Sequence, residues 1–258
     1  MPQRTALITG ASMGIGRELS KLFAQDHYNL VLVARTGSRL AQLATGLEQQ
    51  FEIAAKPVAL DLASAVARQF LFDQLERESI AIDVLVNNAG YGKLGAFAEV
   101  AYQEGAGQIE LNVTALTHLT KLFLSPMLER KSGKILNVAS TAGFQPGPLM
   151  AVYYATKAYV ISFSEALANE LQGTGVTVTC LCPGATDTEF QSRAGTEQTT
   201  LFRKMRPMDA SEVARDGYRA LLKGKPLVIS GLRNRLLMES LRISPRRIVT
   251  AVSRKFLE

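Results

Sequence analysis

The feature of this sequence that most constrains its fold is an alternation of short apolar runs with longer amphipathic stretches. The runs are strand-length, rich in Val, Ile and Leu, and show no clean in-and-out alternation, which is typical of parallel strands covered on both faces. They lie at 5–9, 30–34, 57–60, 84–86, 134–139, 176–181 and 227–229. Helix-length segments separate them, for instance 15–25, 39–50, 65–78, 108–129 and 152–171. The alternation predicts one α/β domain: a doubly wound parallel sheet with helices on both faces.

The composition excludes several other kinds of protein. A chain that is 47% hydrophobic and 20% charged is neither disordered nor fibrous. No stretch of 18 residues is uniformly apolar, and the opening MPQRTALITG lacks the regions of a signal peptide, so neither a membrane span nor a leader is expected. Cys180 and Cys182 lie two apart in a predicted strand, too extended for a relaxed disulfide, which favours a cytoplasmic location. No metal site is predicted.

A glycine-rich turn follows the first predicted strand. In TGASMGIG at 9–16, Gly10, Gly14 and Gly16 allow a tight turn and a close approach of the backbone to a ligand. The helix that begins there offers free N–H groups to phosphate, so the turn predicts a site for a dinucleotide pyrophosphate. The spacing G-x-x-x-G-x-G differs from the standard G-x-G-x-x-G, and a purely structural turn is the alternative.

The same residues match the G-x-S-x-G elbow of serine hydrolases, with Ser12 as the nucleophile. That elbow normally follows several strands, whereas this one follows the first. The two histidines, His27 and His118, do not lie late in the chain after an acidic partner. Hydrolysis is therefore a remote alternative.

The end of the second predicted strand indicates which dinucleotide is bound. An acidic residue there would bind the adenosine ribose 2′-hydroxyl, but the sequence has Ala34 followed by Arg35. A guanidinium can bind a 2′-phosphate in bidentate fashion, with Ser12, Arg17 and Arg39 as possible neighbours. The pattern favours NADP(H) over NAD(H).

Four polar residues predict acid–base chemistry. Ser140 closes the fifth predicted strand, and Tyr153 and Lys157 follow it at helical i, i+4 spacing. A nearby ammonium should lower the pKa of the phenol, which could then protonate a carbonyl oxygen held by Ser140 during hydride transfer. Asn112 lies inside a predicted helix, where asparagine is a poor helix former and needs a reason to be present.

Together these motifs resemble the classical short-chain dehydrogenase/reductase family over roughly residues 5–230. They are TGASMGIG at 9–16, Asp61, NNAG at 87–90, Asn112, Ser140, YYATK at 153–157 and PGATDTEF at 183–190. The family pattern Y-x-x-x-K selects Tyr153 rather than Tyr154, because Lys157 fixes the spacing. No catalytic position departs from the pattern.

The resemblance implies a Rossmann-type fold and a role for each matched residue. Tyr153 would donate and accept the proton, and Lys157 would lower its pKa and bind the nicotinamide ribose. Ser140 would orient the substrate oxygen, and Asn112 would hold a water of a proton relay. Asp61 and Leu62 would contact adenine, Asn88 the adenosine ribose, and Thr188 the nicotinamide carboxamide or the pyrophosphate. The full set of expected cofactor contacts is Gly10, Ser12, Gly14, Ile15, Gly16, Arg35, Arg39, Asp61, Leu62, Asn88, Ala89, Gly90, Tyr153, Lys157, Pro183, Gly184, Thr186 and Thr188.

The expected function is NADPH-dependent reduction of a carbonyl, or oxidation of the matching alcohol. The stretch 141–150 is mostly apolar, and 189–207 has the character of a mobile lid. That lid carries Phe190, Leu201 and Phe202 beside Arg193, Arg203, Lys204 and Arg206. An apolar site with a cationic rim suits a 3-oxoacyl thioester or another amphiphilic carbonyl. The alternative is a sensor or scaffold that binds the cofactor without turnover.

The basic character of the chain is concentrated near its end. Residues 1–200 hold 15 Lys/Arg and 18 Asp/Glu, whereas residues 201–258 hold 14 and 5. After the dinucleotide-binding and catalytic part, 1–231, the segment 232–258 forms a basic amphipathic extension of the same domain. Its last helix is predicted to start with Ser244 as N-cap and Pro245 as first residue, and to gather Ile248, Val249, Val252 and Phe256 on one side.

That apolar side could lie on an anionic membrane surface, or it could pack on the protein's own body or a partner subunit. Packing on the protein's own body or on a partner subunit is favoured over a membrane, and nothing indicates nucleic-acid binding. The predicted helix 152–171 is apolar almost all round, which favours a homodimer or homotetramer; a deeply packed helix in a monomer is the alternative.

Overall fold

The computed structural model describes residues 3–200 and 207–258. Seven strands form one parallel sheet in the order β3-β2-β1-β4-β5-β6-β9. They are β1 (Thr5–Thr9), β2 (Asn29–Ala34), β3 (Ala55–Ala59), β4 (Val84–Asn87), β5 (Gly133–Val138), β6 (Val176–Cys182) and β9 (Leu227–Ile229). Two short strands, β7 (Thr186–Asp187) and β8 (Met208–Asp209), pair beside it. The predicted α/β fold is therefore confirmed.

Helices cover both faces of this sheet. They are α1 (Gly14–Gln25), α2 (Gly37–Phe51), α3 (Ala65–Arg77), α4 (Tyr102–Ile109), a π-helix (Glu110–Ala115), α5 (Leu116–Glu129), a 3₁₀ turn (Thr141–Phe144), α6 (Ala151–Glu170), α7 (Phe190–Ala194), α8 (Ala210–Leu222), α9 (Leu232–Leu241) and α10 (Arg246–Leu257). One buried cluster packs α1, α2 and α8 on the sheet, and a second packs α3, α5 and α6 on the other face. Within the described residues, no helix combines the length and the apolar character needed to cross a membrane.

Most predicted helix boundaries lie within two residues of the observed ones, and two differences concern the site and the C-terminal segment. The single helix expected over 108–129 begins earlier, at Tyr102, and its middle is the π-helix Glu110–Ala115. A π-helix inserts one extra residue into a turn and is common at functional sites. The last helix begins at Arg246 with Pro245 as its N-cap, so the prediction of Ser244 as N-cap was wrong by one residue.

The C-terminal segment folds back on the body of the protein. In α10, Val249, Ser253 and Leu257 are buried, because their shared face packs inward. Leu257 joins a buried cluster with Ala142 and Tyr154, against which Tyr153 packs. Ile248, Val252 and Phe256, which were expected on the same side as Val249, instead form an adjacent, exposed stripe.

Candidate active site

A cavity of about 940 Å³ lies at the carboxyl ends of the central strands. The strand order reverses between β1 and β4, and ligands of open α/β sheets bind in the crevice at that point. Most of the predicted site residues line this cavity: Gly10, Ser12, Gly14, Ile15, Arg35, Asp61, Leu62, Asn88, Ala89, Gly90, Ser140, Tyr153, Lys157, Pro183, Gly184, Thr186 and Thr188. Gly16, Arg39 and Asn112 do not line it.

The glycine turn between β1 and α1 forms a close-packed cradle. Gly10 and Gly14 have φ angles of +64° and +52°, which other residues rarely adopt. A Cβ at Gly10 would lie 2.8 Å from Asn88 Nδ2, and a Cβ at Gly14 would lie 3.0 Å from Thr188 Cγ2. A Cβ at Gly16 would collide with the Gly10 carbonyl oxygen. Only glycine fits these positions, and with the start of α1 behind them they suit a pyrophosphate.

Asn88 fixes that cradle. Its side-chain Nδ2 donates to the carbonyl oxygens of Thr9 (2.9 Å) and Gly10 (3.3 Å). Thr9 Oγ1 accepts from the backbone N–H groups of Asn88 (2.9 Å) and Ala89 (3.0 Å) and donates to the Val86 oxygen (3.0 Å). The amide of Asn88 thus holds the ends of β1 and β4 together, while the residue also lines the cavity.

The two arginines expected at the adenosine end are placed differently. Arg35 lines the cavity beside Asp61 and Leu62. Arg39 Nη1 instead donates to both carboxylate oxygens of Glu189, at 2.9 and 3.0 Å, and both side chains are about half exposed. Arg39 therefore ties α2 to the segment that precedes α7.

Arg68 is a site-supporting residue that the sequence analysis missed. Its side chain is buried, and its Nη1 donates to the Leu62 oxygen (2.7 Å), to the Ala63 oxygen (3.3 Å) and to Glu110 Oε1 (2.9 Å). Its Nε donates to His118 Nδ1 (3.1 Å). Arg68 thereby joins the loop after β3 to the π-helix. The only sequence signal was an arginine amid the apolar positions of α3.

Three of the proposed catalytic residues, Ser140, Tyr153 and Lys157, line the cavity. Ser140 Oγ accepts from the Ala142 N–H (3.1 Å) and donates to the Pro183 oxygen (3.4 Å). Lys157 is buried, and its Nζ donates to the Val138 oxygen (2.8 Å) and lies 5.8 Å from the Tyr153 ring centroid. Tyr153 and Lys157 face the cavity from α6, as their spacing predicted.

Burial controls the ionisation of these two groups. It raises the pKa of the Tyr153 phenol well above its ordinary value, and the neighbouring Ser140 hydroxyl offsets part of that rise. Burial also lowers the pKa of Lys157 from 10.5 to about 8. The net shift of the Tyr153 pKa is therefore upward rather than downward as expected, because removal of the phenolate from water is its largest cause.

Asn112 lies behind the cavity wall and is buried. Its Nδ2 donates to the Tyr91 oxygen (2.9 Å) and Thr156 Oγ1 (3.1 Å), and its Oδ1 accepts from the Tyr91 N–H (3.0 Å). A Cβ at Gly90 would lie 2.9 Å from Asn112 Oδ1 and 3.5 Å from Lys157 Nζ. A side chain at Gly90 would therefore crowd the Asn112 amide, whereas Lys157 Nζ lies at an ordinary contact distance.

The substrate end of the cavity is apolar. The rings of Tyr153 and Phe190 are 5.3 Å apart, and a Cβ at Gly92 would lie within 3.1 Å of Met150, Tyr153 and Phe190. The helices α9 and α10 supply a further wall, which the sequence analysis did not foresee: Leu237, Met238, Leu241, Ile248, Val249, Val252, Phe256 and Leu257. Of the expected lid, Leu201, Phe202, Arg203, Lys204 and Arg206 lie outside the described residues, whereas Phe190 and Arg193 line the cavity.

The remote hydrolase alternative has no support in this geometry. Ser12 lines the cavity, but neither histidine does. His27 Nδ1 lies 3.2 Å from the Phe51 oxygen, and His118 accepts from Arg68. A serine nucleophile needs an adjacent base, and no histidine is placed to serve Ser12.

Comparison with known proteins gives relatives along most of the chain. The family model described as short chain dehydrogenase matches residues 4–199. A sulfoacetaldehyde reductase 2 from Chromohalobacter salexigens is 36% identical over 214 residues, covering 81% of this chain and 84% of that protein. A very-long-chain 3-oxoacyl-CoA reductase from Phaeosphaeria nodorum is 38% identical over 182 residues, covering 68% of this chain. This chain spans only 53% of the length of that reductase.

A solved structure agrees with the fold over nearly the whole chain. The short-chain dehydrogenase from Sphingobium yanoikuyae, in complex with NADPH, superposes with a TM-score of 0.83 at 32% identity. The match covers 93% of this chain and 92% of that one. Together with the family match and the glycine cradle beside Ser140, Tyr153 and Lys157, these similarities show that the chain belongs to the short-chain dehydrogenase family of oxidoreductases.

Proposed function

We propose that this protein is an NADPH-dependent reductase of amphiphilic ketones, with 3-oxoacyl thioesters as the leading substrate class. The observation that carries the proposal is the meeting of Ser140, Tyr153 and Lys157 between a glycine cradle and an apolar wall. A proton donor, a group that holds the carbonyl oxygen and a dinucleotide cradle are the parts that carbonyl reduction needs.

The choice of NADP(H) rests on the adenosine end. Arg35 lines the cavity directly after β2, where an acidic side chain would favour the free 2′-hydroxyl of NAD(H). A guanidinium there would pair with the 2′-phosphate. The relative from Sphingobium yanoikuyae binds NADPH, which supports the same preference.

Each of the four proposed catalytic residues would have a separate role in carbonyl reduction. When bound, the reduced nicotinamide supplies a hydride to the carbonyl carbon. Ser140 would hold the carbonyl oxygen, and the Tyr153 hydroxyl would give it a proton; the raised pKa of Tyr153 keeps the phenol protonated at neutral pH and so favours reduction. Lys157, charged below about pH 8, would bind the nicotinamide ribose and help to reprotonate Tyr153. Asn112 would hold a water behind Lys157.

The apolar wall supports an acyl chain as substrate. Met150, Phe190, Leu241 and Val249 surround the space beyond Tyr153, and Arg193 lies at its edge. The very-long-chain 3-oxoacyl-CoA reductase among the relatives acts on that kind of compound, whereas the sulfoacetaldehyde reductase acts on a small anionic aldehyde. A small charged aldehyde would leave most of the apolar wall uncovered.

The test is NADPH oxidation with 3-oxoacyl thioesters of graded chain length and with sulfoacetaldehyde. We expect kcat/KM to rise with chain length, by about fourfold for each added methylene that reaches the wall, at roughly 0.8 kcal/mol per buried CH₂. If only sulfoacetaldehyde is turned over, the substrates are small anionic aldehydes and not 3-oxoacyl thioesters. Absence of turnover with every carbonyl, although NADPH binds, would contradict the reductase and favour a cofactor-binding sensor.

We further propose a homodimer or homotetramer assembled through α4 and α6. Ile109 is 49% exposed and Tyr159 is 39% exposed, although both are large and apolar in character. Beside them lies a shallow apolar cavity of about 360 Å³, lined in part by Val113 and Val152. Exposed apolar patches of this kind are typical of subunit interfaces.

A further inference from the structure

The outer surface of α9 and α10 is apolar and exposed. We name it the docking face; it consists of Leu232, Leu236, Leu237, Ile243, Ile248, Val252 and Phe256. Ile243 is 88% exposed and Leu232 is 73% exposed. In α10 the neighbouring stripe of Val249, Ser253 and Leu257 is buried against the body, so the helix is held in place and presents its second apolar stripe outward.

Positive charge surrounds the docking face. The segment 232–258 holds seven Lys/Arg and two Asp/Glu, a net charge of +5. Both acidic residues are paired with a nearby arginine: Glu239 with Arg242 (3.0 Å) and Glu258 with Arg254 (2.7 Å). In the part of the chain that the structure describes, Arg233, Arg235, Arg246, Arg247 and Lys255 form no salt bridge. These cations are available to a negatively charged partner.

The active-site cavity reaches the docking face. Leu237, Ile248, Val252 and Phe256 line the cavity and are also between 36% and 59% exposed, so they form part of its mouth. Tyr153 lines the same cavity. One cavity therefore connects the exposed docking face with the Tyr153 phenol.

We propose that the docking face binds an anionic lipid surface and that amphiphilic substrates enter the active site from that surface. Apolar side chains would insert at the level of the headgroups while the surrounding cations pair with lipid phosphates and carboxylates. An acyl chain would then pass from lipid to the cavity without crossing water. The entry of substrate rests on the proposed function, whereas the binding of lipid does not.

Charge favours lipid over a second copy of the chain as the occupant. Two docking faces brought together would place two segments of net charge +5 against each other, and like charges at an interface oppose association. An anionic surface turns the same charge into attraction. Since these cations are exposed, salt will weaken the attraction.

The test compares two matched triple variants by vesicle co-sedimentation with NADPH present. Ile243→Ser, Arg246→Gln, Arg247→Gln alters the docking face without touching residues that line the cavity. Leu222→Ser, Lys223→Gln, Lys225→Gln makes the same changes at exposed positions at the end of α8, which precedes the amino end of β9. The vesicles are phosphatidylcholine, with or without roughly one quarter phosphatidylserine.

We expect the wild type and the α8 variant to bind the anionic vesicles and to leave them at high salt. The docking-face variant should bind about thirtyfold more weakly, at roughly 1 kcal/mol for each cation. It should keep wild-type turnover of a short, water-soluble ketone and lose turnover of a long-chain ketone held in vesicles.

Three results would overturn the proposal, and none depends on the reductase activity. The first is that the wild-type protein does not bind anionic vesicles. The second is that both variants bind them equally well. The third is that the wild type is an oligomer and the docking-face variant is a monomer. The last result would make the docking face a subunit interface. Absence of ketone turnover with normal vesicle binding would contradict the proposed function alone.

Discussion

At the scale of single residues, burial rather than sequence spacing sets the protonation of the proposed catalytic pair, Tyr153 and Lys157. The i, i+4 arrangement of Tyr153 and Lys157 correctly placed both side chains on one face of α6. Spacing carries no information about desolvation, so the direction of the pKa shift of Tyr153 could not be derived from it. The structure raises that pKa and lowers the pKa of Lys157 for the same reason: each charged form loses water.

This pair predicts a pH dependence. Burial lowers the pKa of Lys157 to about 8, so its ammonium is present below that pH and is lost above it. We expect kcat/KM for ketone reduction to be level below about pH 8 and to fall up to tenfold per pH unit above it. A pH–rate profile checks this. Lys157→Arg, which stays charged, should lower the rate but remove the fall; a wild-type profile that is flat to pH 10 would contradict the assignment.

At the scale of elements, the strands were the part most readily predicted. Their apolar composition identified β1 and β9 to the residue, and the other five strands of the main sheet to within two residues at each end. The π-helix could not be predicted from local sequence, because residues distant in the chain stabilise it. Asn112 forms hydrogen bonds with Tyr91 and Thr156. The wall formed by α9 and α10 was missed because an amphipathic pattern does not specify what covers its apolar side.

Arg68 gives a prediction about how elements cooperate. We expect Arg68→Met to weaken NADPH binding severalfold and to lower the free energy of unfolding by about 1–3 kcal/mol, because the carbonyls of Leu62 and Ala63 lose their donor. Arg77→Met, at an exposed position of the same helix, should change the stability by less than about 0.5 kcal/mol. Fluorescence titration and denaturant unfolding measure the two effects. Lost stability with unchanged NADPH affinity would mean that Arg68 only supports the fold.

At the scale of the whole molecule, the α/β alternation predicted the class of fold, and most of the site residues predicted from the ordered motifs do line the cavity. What the sequence could not predict is how distant segments close that cavity. Arg39 is an example, because it pairs with Glu189, which lies 150 positions later in the chain. The C-terminal segment shows it too, because the same helix both packs on the body and borders the mouth of the cavity.

Assembly is a prediction at this same scale. We expect light scattering to give the mass of a dimer or tetramer, and Ile109→Glu to shift it to a monomer by placing a charge in the apolar contact. Val66→Glu introduces the same charge at a position of α3 that is 79% exposed and should leave the mass unchanged. A wild-type monomer, or an oligomer that Ile109→Glu does not disturb, would contradict assembly through α4 and α6.

The most direct test of the central claim is the rate of NADPH oxidation with a long-chain ketone in Tyr153→Phe, measured beside the affinity of the same variant for NADPH. The account predicts that kcat falls by about 10²–10⁴-fold, because the proton donor is lost. The dissociation constant for NADPH should stay within about threefold of wild type, because the glycine cradle and Arg35 are untouched. A Tyr153→Phe enzyme that reduces the ketone at the wild-type rate would contradict the account.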